Sequence, residues 1–294
     1  EYPDERNVVL VGAHLSVSSG YPATVEYAIE AGCECIQVFG KSPRQWKGKA
    51  LDPEATSAFV ELRSRAGLGP LFTHTAYLIN LATDAEPIRS RSIEALGDEM
   101  IRGRLLGAAG VVLHIGHDPH GDSAAAAVRV AAGIIEAFEM CGCSHPDTKL
   151  LLENTATRGF GSGLGDFAAV FAALPHEIRA QVGVCFDTCH GFAAGIELDS
   201  SAAWETLVDD IERACGPGSL ALIHANDCKF ELGSHRDRHE WIGKGFLKDE
   251  SFEAMLCVDR LQSVCAVTEM PGDIPDKDVV NIARLKELRN QCSR

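Results

Sequence analysis

The sequence predicts an α/β protein in which eight parallel strands close into a (β/α)8 TIM barrel. Two observations support this: short apolar runs alternate with amphipathic segments along all 294 residues, and no Gly-x-Gly-x-x-Gly loop follows the first run. Such a loop is typical of the open, doubly wound sheet, which is the alternative architecture. Regular alternation of strands with helices predicts a parallel sheet, and eight such units predict a closed one.

Each strand is predicted from a short apolar run, and each helix from an amphipathic segment between two runs. The predicted strands cover residues 8–13, 35–40, 70–74, 110–114, 149–153, 182–187, 220–225 and 266–269. The clearest helical segments cover residues 22–32, 87–107, 123–142, 201–216 and 278–291. Several begin after Ser, Asp or Pro and end at Gly, which are common signals for the start and stop of a helix.

The composition is typical of a globular protein, with 46% hydrophobic and 23% charged residues. No apolar stretch reaches the roughly 18 residues that a membrane-spanning helix needs. We expect one domain over residues 1–294, with a core at 8–289 and terminal tails at 1–7 and 290–294. The chain begins EYPDERN without an initiator Met, so we expect that a preceding segment has been removed.

Cysteine usage and charge limit the compartment and the class of protein. Eleven cysteines, none of them in a Cys-x-x-Cys pair, predict free thiols in a reducing intracellular compartment such as the cytoplasm or the nucleus. The net charge of −15 argues against a protein that coats nucleic acid through a basic face. It does not exclude a metalloenzyme, because bound cations add positive charge that the sequence count omits.

Nine titratable residues share a position: six lie at or next to the end of a predicted strand, and three lie in the loops that follow. They are His74, His114, Glu153, Asp187, His190, His224, Asp237, His239 and Glu269. A titratable group at the end of a buried strand is costly unless it is neutralised or hydrogen-bonded. A single residue of this kind is explained by a core hydrogen bond, but six equivalent ones predict a shared site. The C-terminal rim of such a barrel is where active sites are found.

The ligand types indicate the metal. Five imidazoles and four carboxylates suit Zn²⁺, with Mn²⁺ or Fe²⁺ as substitutes, whereas Mg²⁺ and Ca²⁺ prefer oxygen ligands. Nine ligands supply about three for each of three metal ions, which is typical of catalytic rather than structural zinc. Metal ions held close together favour the hydrolysis of phosphate esters.

Six motifs resemble those of the endonuclease IV family, the zinc-dependent apurinic/apyrimidinic endonucleases of base-excision repair. They are GAHLS (12–16), FGKSPRQW (39–46), HTAYLINLA (74–82), LLENTA (151–156), GVCFDTCHGFAAG (183–195) and HANDCKFELGSHRDRHEWIGKG (224–245). The resemblance covers nearly the whole chain, and its Asp-Thr-Cys-His and Asp-Arg-His pieces are the most specific. The sequence departs from the family at Ile115, where Pro is usual, so we expect the shape of that loop to differ from the family's.

The resemblance implies three zinc ions with one bridging carboxylate. The first zinc would take His74, His114 and Glu153, and the third would take His190, Asp237 and His239. The ligands implied for the second zinc are Glu153, Asp187, His224 and Glu269. His14, which ends the first strand, is expected to contact a ligand from outside the metal shell.

The implied reaction is hydrolysis of the phosphodiester 5′ to an abasic site, leaving a 3′-hydroxyl, with Glu153 as the catalytic residue. Trimming of blocked 3′ ends is implied as well. The implied partner is double-stranded DNA with an abasic site, and Arg44, Tyr77 and Leu78 match the residues that enter the DNA. Lys41, Lys47 and Lys49 accompany Arg44 in a predicted phosphate track. We expect a monomer with no membrane partner.

Two other functions stay open from the sequence. A sugar isomerase or epimerase on the same barrel would use a carboxylate-rich site for two metals, which the third ligand group disfavours. A binder of damaged DNA that has lost catalysis is expected to lack the bridging carboxylate, and Glu153 is present. Four cations of the seventh rim loop fit either phosphate contact or simple solvation: Lys229, Arg236, Arg238 and Lys244.

Overall fold

Eight parallel strands close into a barrel, as the sequence predicts. The computed structural model describes residues 8–142, 148–272, 274 and 276–292. The barrel strands are β1 (Leu10–Leu15), β2 (Cys35–Phe39), β3 (Leu71–His74), β4 (Gly110–His114), β5 (Lys149–Glu153), β6 (Val182–Asp187), β7 (Leu220–His224) and β10 (Cys265–Thr268). They follow the order β1-β10-β7-β6-β5-β4-β3-β2, and each neighbouring pair is parallel. An antiparallel ribbon of β8 (Asp227–Cys228) and β9 (His239–Glu240) lies in the segment after β7 and was not predicted.

The five amphipathic segments all form helices, and other helices join them. The helices are α1 (Tyr21–Glu30), α2 (Pro53–Arg65), α3 (Ile88–Leu105), α4 (Ser123–Cys141), α5 (Leu164–Ala173), α6 (His176–Arg179), α7 (Thr188–Ala194), α8 (Ser201–Cys215), α9 (Lys248–Cys257) and α10 (Lys277–Arg289). Side chains of Asp52, Asp122 and Ser200 cap α2, α4 and α8 by accepting from backbone N–H groups of the first turn. No helix in the described part of the chain is long and apolar enough to cross a membrane.

The apolar core has two parts. The larger part lies between the strands and the surrounding helices and includes Trp204, Phe167 and Phe252. A separate cluster contains residues from seven strands: Cys35, Phe72, Val112, Leu151, Cys185, Leu222, Cys265 and Val267. Because side chains of a strand alternate between its two faces, these residues form a layer inside the barrel. This layer is the floor on which the rim residues stand.

The strands β1 and β2 approach each other closely at Gly12. A Cβ atom on Gly12 would lie 1.8 Å from the backbone oxygen of Cys35, so no side chain fits there. This glycine begins the motif GAHLS, and the close approach places the following His14 over the rim. The register pairs His14 with Gln37 of β2.

The expectation that all cysteines are free thiols is wrong. Cys257, at the end of α9, forms a disulfide with Cys292, which follows α10, and their Cα atoms lie 5.1 Å apart. Cys141 is also disulfide-bonded. Seven other cysteines are free and buried. The predicted tail at 290–294 therefore includes a residue that is covalently attached to α9, whereas residues 1–7 and 293–294 lie outside the described residues.

Candidate metal centre

Six of the nine predicted ligands lie one inward-facing position beyond the apolar floor of the barrel. Phe72 of the floor is followed two residues later by His74, Leu151 by Glu153, and Leu222 by His224. The same step leads to Gln37 on β2, His114 on β4, Asp187 on β6 and Glu269 after β10. A strand turns every second side chain to the same face, so this step brings the polar residues into one layer.

Glu153 is the centre of this layer and is fully buried. Its Oε2 atom lies 3.1 Å from Nε2 of His74 and 3.6 Å from Nδ1 of His114. Its Oε1 atom lies 3.0 Å from Nδ1 of His224. The two oxygens of one carboxylate therefore face two different sets of imidazoles, which is the arrangement that the predicted bridging role requires.

Two groups of donor atoms meet at Glu153. The first consists of His74, His114 and Glu153, and its ligand atoms lie within 4.8 Å of one another. A second group of the same compactness consists of Glu153, Asp187, His224 and Glu269. Nδ1 of His224 lies 3.2 Å from Glu269 Oε2 and 3.9 Å from Asp187 Oδ2. Both groups coincide with the ligand sets predicted for the first and second metal ions.

The third predicted set is close but less compact. Oδ1 of Asp237 lies 3.3 Å from Nε2 of His190 and 3.5 Å from Nε2 of His239. The donor groups here that lie within 4.8 Å combine Asp187 with His190 and His239, or Cys189 with Asp237 and His239. The three predicted residues are thus neighbours within a wider cluster, and nothing in the sequence indicated that Cys189 belongs to it.

Local structure explains how His190 reaches the site. Asp187 ends β6 and is also the N-cap of α7, where its Oδ1 accepts a hydrogen bond from the His190 N–H at 2.7 Å. The first turn of the helix then carries the His190 imidazole back towards the rim, with Nδ1 2.9 Å from the backbone oxygen of Asn154. The spacing Asp-x-x-His therefore corresponds to a single capping turn. The N-cap Asp187 and the third residue after it, His190, both face the site.

The carboxylates and imidazoles of this layer shift each other's pKa values. Burial raises the pKa of Glu153, but the positive charges of His114 and His224 and hydrogen bonds from the histidines hold it well below its usual range. Burial lowers the pKa of His190, but Asp187 and the hydrogen bond to Asp237 raise it to about 10. Opposite charges packed this closely therefore lower the pKa of the Glu153 carboxyl and raise that of the His190 imidazole.

The donor set fits a divalent metal. Nε2 of His239 is buried and has no hydrogen-bond partner among the described residues, although Asp187 Oδ2 lies 3.6 Å away. An imidazole nitrogen left in this way beside carboxylates is what a metal ion satisfies. Imidazole and carboxylate donors without a compact set of thiolates favour zinc, manganese or iron over calcium and magnesium.

Three buried amides orient the ligands, and none of them is among the residues predicted from the sequence. Gln37 Nε2 donates to Glu269 Oε1 at 2.8 Å, and its Oε1 lies 3.0 Å from Nε2 of His224. Asn226 donates to Asp187 Oδ2 at 2.6 Å and accepts from the Glu269 N–H at 2.7 Å. Asn154 makes hydrogen bonds with both backbone groups of Asp187. An amide inside an apolar run was the available signal, as in CIQVF around Gln37.

His14 lies beside this network. Its Nδ1 atom lies 3.2 Å from Glu269 Oε1 and 2.9 Å from Gln37 Nε2. Its ring packs on Phe39 with the two centroids 4.4 Å apart. His14 therefore contacts one predicted ligand, Glu269, but belongs to neither of the two donor groups that meet at Glu153.

The layer opens into a rim cavity of about 860 Å³. Of the predicted DNA-entering residues, Tyr77 lines the cavity and is 62% exposed, whereas Leu78, which is 36% exposed, and Arg44, which is exposed, are not among the lining residues. The ring of Tyr77 packs edge-on against Phe39 at 5.5 Å. Large apolar side chains so exposed beside a polar cavity are suited to contact a ligand surface.

Lys41 does not belong to the predicted phosphate track. Its side chain is buried, and Nζ lies 2.9 Å from Asp98 Oδ2 and 3.5 Å from Glu99 Oε1 of α3. An ammonium paired in this way is not free to meet a phosphate. The two other lysines of this loop, Lys47 and Lys49, are exposed. The four cations of the loop after β7 are exposed as well: Lys229, Arg236, Arg238 and Lys244.

Known proteins share the fold of this chain. A profile of the family described as xylose isomerase-like TIM barrel matches residues 25–288, which defines the class of protein. The crystal structure of endonuclease IV from Thermus thermophilus superposes with a TM-score of 0.83 at 30% identity, covering 96% of this chain and 99% of that one. A D-tagatose 3-epimerase-like protein superposes with a TM-score of 0.70 at 18% identity, which shows the fold alone.

Curated relatives of this chain define its family more narrowly than the fold does. The probable endonuclease 4 of Methanoculleus marisnigri is 38% identical over 286 residues, which are 96% of this chain and 99% of that protein. The probable endonuclease 4 of Streptomyces coelicolor is 37% identical over 285 residues, 95% of each chain. The chain belongs to the endonuclease IV family. The resemblance found in the sequence, the barrel fold and the predicted class of enzyme are therefore confirmed.

Proposed function

We propose that the protein cleaves double-stranded DNA at abasic sites, hydrolysing the phosphodiester on the 5′ side and leaving a 3′-hydroxyl. The observation that carries this proposal is the buried carboxylate of Glu153, whose two oxygens face separate ligand groups. The names of the relatives support an endonuclease. We include trimming of blocked 3′ ends in the proposal, because the same rim would receive a terminal phosphate.

We propose three zinc ions as the resident metals, with Mn²⁺ or Fe²⁺ as substitutes. His74, His114 and Glu153 would hold the first, and His190, Asp237 and His239 the third. The ligands proposed for the second are Glu153, Asp187, His224 and Glu269. When bound, the ions would lower the pKa of water and neutralise charge on the attacking and leaving oxygens. The orphaned Nε2 of His239 supports a metal at the third position.

The side chains of the rim would have different roles in the reaction. Glu153, held between histidines, would orient the attacking water and accept its proton. Asp187, fixed by Asn154 and Asn226, would keep the ligand layer rigid without reorganisation during the reaction. Tyr77 and Leu78 would enter the space of the missing base, and Arg44 would contact the backbone. A side chain that enters the stack is the usual means of exposing a damaged nucleotide.

A nicking assay tests the proposal directly. We expect the purified protein to cut a duplex that carries one tetrahydrofuran abasic analogue, without added Mg²⁺, and to leave a 3′-hydroxyl. Prolonged chelation should abolish cleavage, and Glu153→Gln should reduce it by a factor of about 100 or more. Glu139→Gln is the matched control, because Glu139 is exposed on α4.

Other outcomes would assign another function. An intact duplex with a fully metallated protein would exclude the endonuclease. About two metal ions per chain, together with turnover of a ketose or aldose, would indicate an isomerase or epimerase. A stable complex with the abasic duplex in zinc, without cleavage, would indicate a damage binder.

We also propose one domain that acts as a monomer on DNA inside the cell, in a reducing compartment such as the cytoplasm or the nucleus. The seven buried free thiols support that compartment, whereas the disulfide between Cys257 and Cys292 opposes it. Differential alkylation of the protein taken directly from cells, followed by mass spectrometry, shows whether Cys257 and Cys292 are reduced or disulfide-bonded in the cell. A fully alkylated Cys292 would support the reducing compartment.

A further inference from the structure

We propose that Glu99, a buried carboxylate on α3, is a positioning residue that holds together the two rim loops of the proposed DNA contact. The loops are residues 40–49, which carry Arg44, and residues 75–82, which carry Tyr77 and Leu78. The inference rests on the proposed function for its substrate, but the contacts that carry it are independent of any reaction. Among the described residues, the hydrogen bonds and ion pairs of Glu99 do not involve the predicted metal ligands.

The Glu99 carboxylate contacts the loop of residues 75–82 by accepting a hydrogen bond from the backbone of that loop. The residue is fully buried, and its Oε1 accepts a hydrogen bond from the Ala76 N–H at 3.1 Å. Ala76 directly precedes Tyr77, so this bond fixes the point from which the exposed ring projects. The Tyr77 N–H in turn donates to the backbone oxygen of Pro43 at 3.1 Å, which joins the two loops.

The same carboxylate binds the loop of residues 40–49 through charge and close packing. Nζ of Lys41 lies 3.5 Å from Glu99 Oε1 and is itself buried. A Cβ atom on Gly40 would lie 2.8 Å from Glu99 Oε2, so the carboxylate rests against the loop backbone. The absence of a side chain at Gly40 is what permits this approach.

Neighbours on α3 complete the attachment. Asp98 Oδ2 lies 2.9 Å from both Lys41 Nζ and Arg102 Nε. Arg102 then donates to the backbone oxygen of Lys49 at 2.7 Å, at the far end of the loop. One face of α3 thus holds the loop at its beginning and at its end, with Arg44 between the two points.

The free-energy cost of burying these charges indicates that their role is to hold the two loops in place. A buried carboxylate and ammonium lose hydration, and their attraction offsets that loss only in part. Glu99 Oε2 has no hydrogen-bond partner among the described residues, so the compensation is incomplete. The hydrogen bond and the ion pair of Glu99 described above both run to the two loops. Loops ordered before binding lose less conformational entropy when the DNA arrives, which strengthens binding without changing the chemical step.

The test compares Glu99→Gln with Glu94→Gln, an equal charge change on the exposed face of α3. We expect Glu99→Gln to raise KM for the abasic duplex about tenfold, with kcat and bound metal unchanged. Amide hydrogen exchange of the free protein should become faster in residues 40–49 and 75–82 and stay unchanged elsewhere. The Glu94→Gln variant should match the unaltered protein in all four measurements.

A double variant keeps the test decisive if Glu99→Gln fails to fold, because Lys41→Met with Glu99→Gln removes both charges together. It should fold and show the same rise in KM and the same faster exchange. Unchanged KM and exchange in the folded variant would overturn the inference, as would a loss of kcat together with metal. If the unaltered protein does not cut the abasic duplex, the proposed function fails, but the exchange comparison still confirms or refutes the role of Glu99.

Discussion

At the scale of single residues, Gln37 is a neutral side chain that orients several members of the charged layer. It lies in β2 between apolar neighbours and is fully buried. Its amide contacts Glu269, His14 and His224 at 2.8 to 3.0 Å. The contact at Nε2 of His224 leaves Nδ1 to face Glu153, so the amide selects which nitrogen is offered to the site. Groups that orient ligands in this way raise metal affinity without binding metal.

Replacing Gln37 with Leu tests this role. The volume is similar, but the contacts with His224 and Glu269 are lost, so we expect zinc affinity to fall by a factor of about 10 to 100. Competition with a chromogenic chelator measures the affinity. Gln291→Leu, at an exposed position beyond α10, is the control and should leave it unchanged. Equal zinc affinity in both variants would show that Gln37 is only a packing residue.

The charged members of the site could be predicted from the sequence, whereas the neutral ones could not. A histidine or carboxylate at the end of a buried strand has a large desolvation cost, so its presence demands a reason. Gln37 and Asn226 have a smaller cost and occur in many cores with a simple hydrogen bond. The approach of Cys189 to Asp237 depends on how the loop after β7 folds back, and this is fixed by tertiary contacts.

At the scale of elements, an ion pair fastens the last helix to the beginning of the barrel. Glu34, just before β2, accepts two hydrogen bonds from Arg289 of α10, at 2.7 and 2.8 Å. It also accepts from the Val11 N–H in β1 at 2.9 Å. Burial alone would raise the pKa of Glu34. Arg289 and the other partners lower this pKa by more than burial raises it, so the pKa lies below its usual value of 4.5.

A depressed carboxyl pKa gives a defined pH dependence of stability. The contribution of Glu34 is fully present above about pH 4.5, the unfolded value, and is lost as pH falls through the lower folded pKa. We expect Glu34→Gln to lower the free energy of unfolding by about 1–3 kcal/mol at pH 7. The difference from the unaltered protein should shrink below pH 4.5. Urea unfolding across a pH series measures it, with exposed Glu30→Gln as control. A difference that grew in acid would contradict the assignment.

Strands were easier to predict than the segments between them. Barrel strands are covered on both faces, so they are continuous apolar runs, and all eight were found. The sequence predicts the first strand at 8–13, but the strand spans Leu10–Leu15, because its pairing with β2 continues to Leu15 opposite Val38. The ribbon of β8 and β9 has only two residues in each strand. Such short pairing has no periodic signal and depends on the Asp227 carboxylate, which accepts from the Gly245 and Leu247 N–H groups.

At the scale of the whole molecule, the net charge and the cations of the rim loops have opposite signs. The chain carries a net charge of −15, yet the loops after β2 and β7 carry exposed cations, and one of them, Arg238, lines the rim cavity. Long-range repulsion from the acidic body is screened beyond about 8 Å at physiological salt, whereas cations in contact with phosphate act directly. The position of a cation, more than the total charge, should therefore govern DNA affinity.

The salt dependence of DNA binding distinguishes the effect of a cation's position from the effect of the total charge. Each phosphate contact contributes about −0.9 to the slope of log Kobs against log salt. We expect Arg238→Ala with Lys244→Ala, at the rim, to weaken binding of the abasic duplex and to reduce the magnitude of the slope by about 2. Arg65→Ala with Arg213→Ala removes the same charge from the last turns of α2 and α8, at the opposite end of the barrel. This control pair should leave the slope unchanged, as measured by fluorescence anisotropy with Glu153→Gln as the common background. Equal slopes for the two pairs would mean that total charge governs binding and that the rim cations are merely solvated.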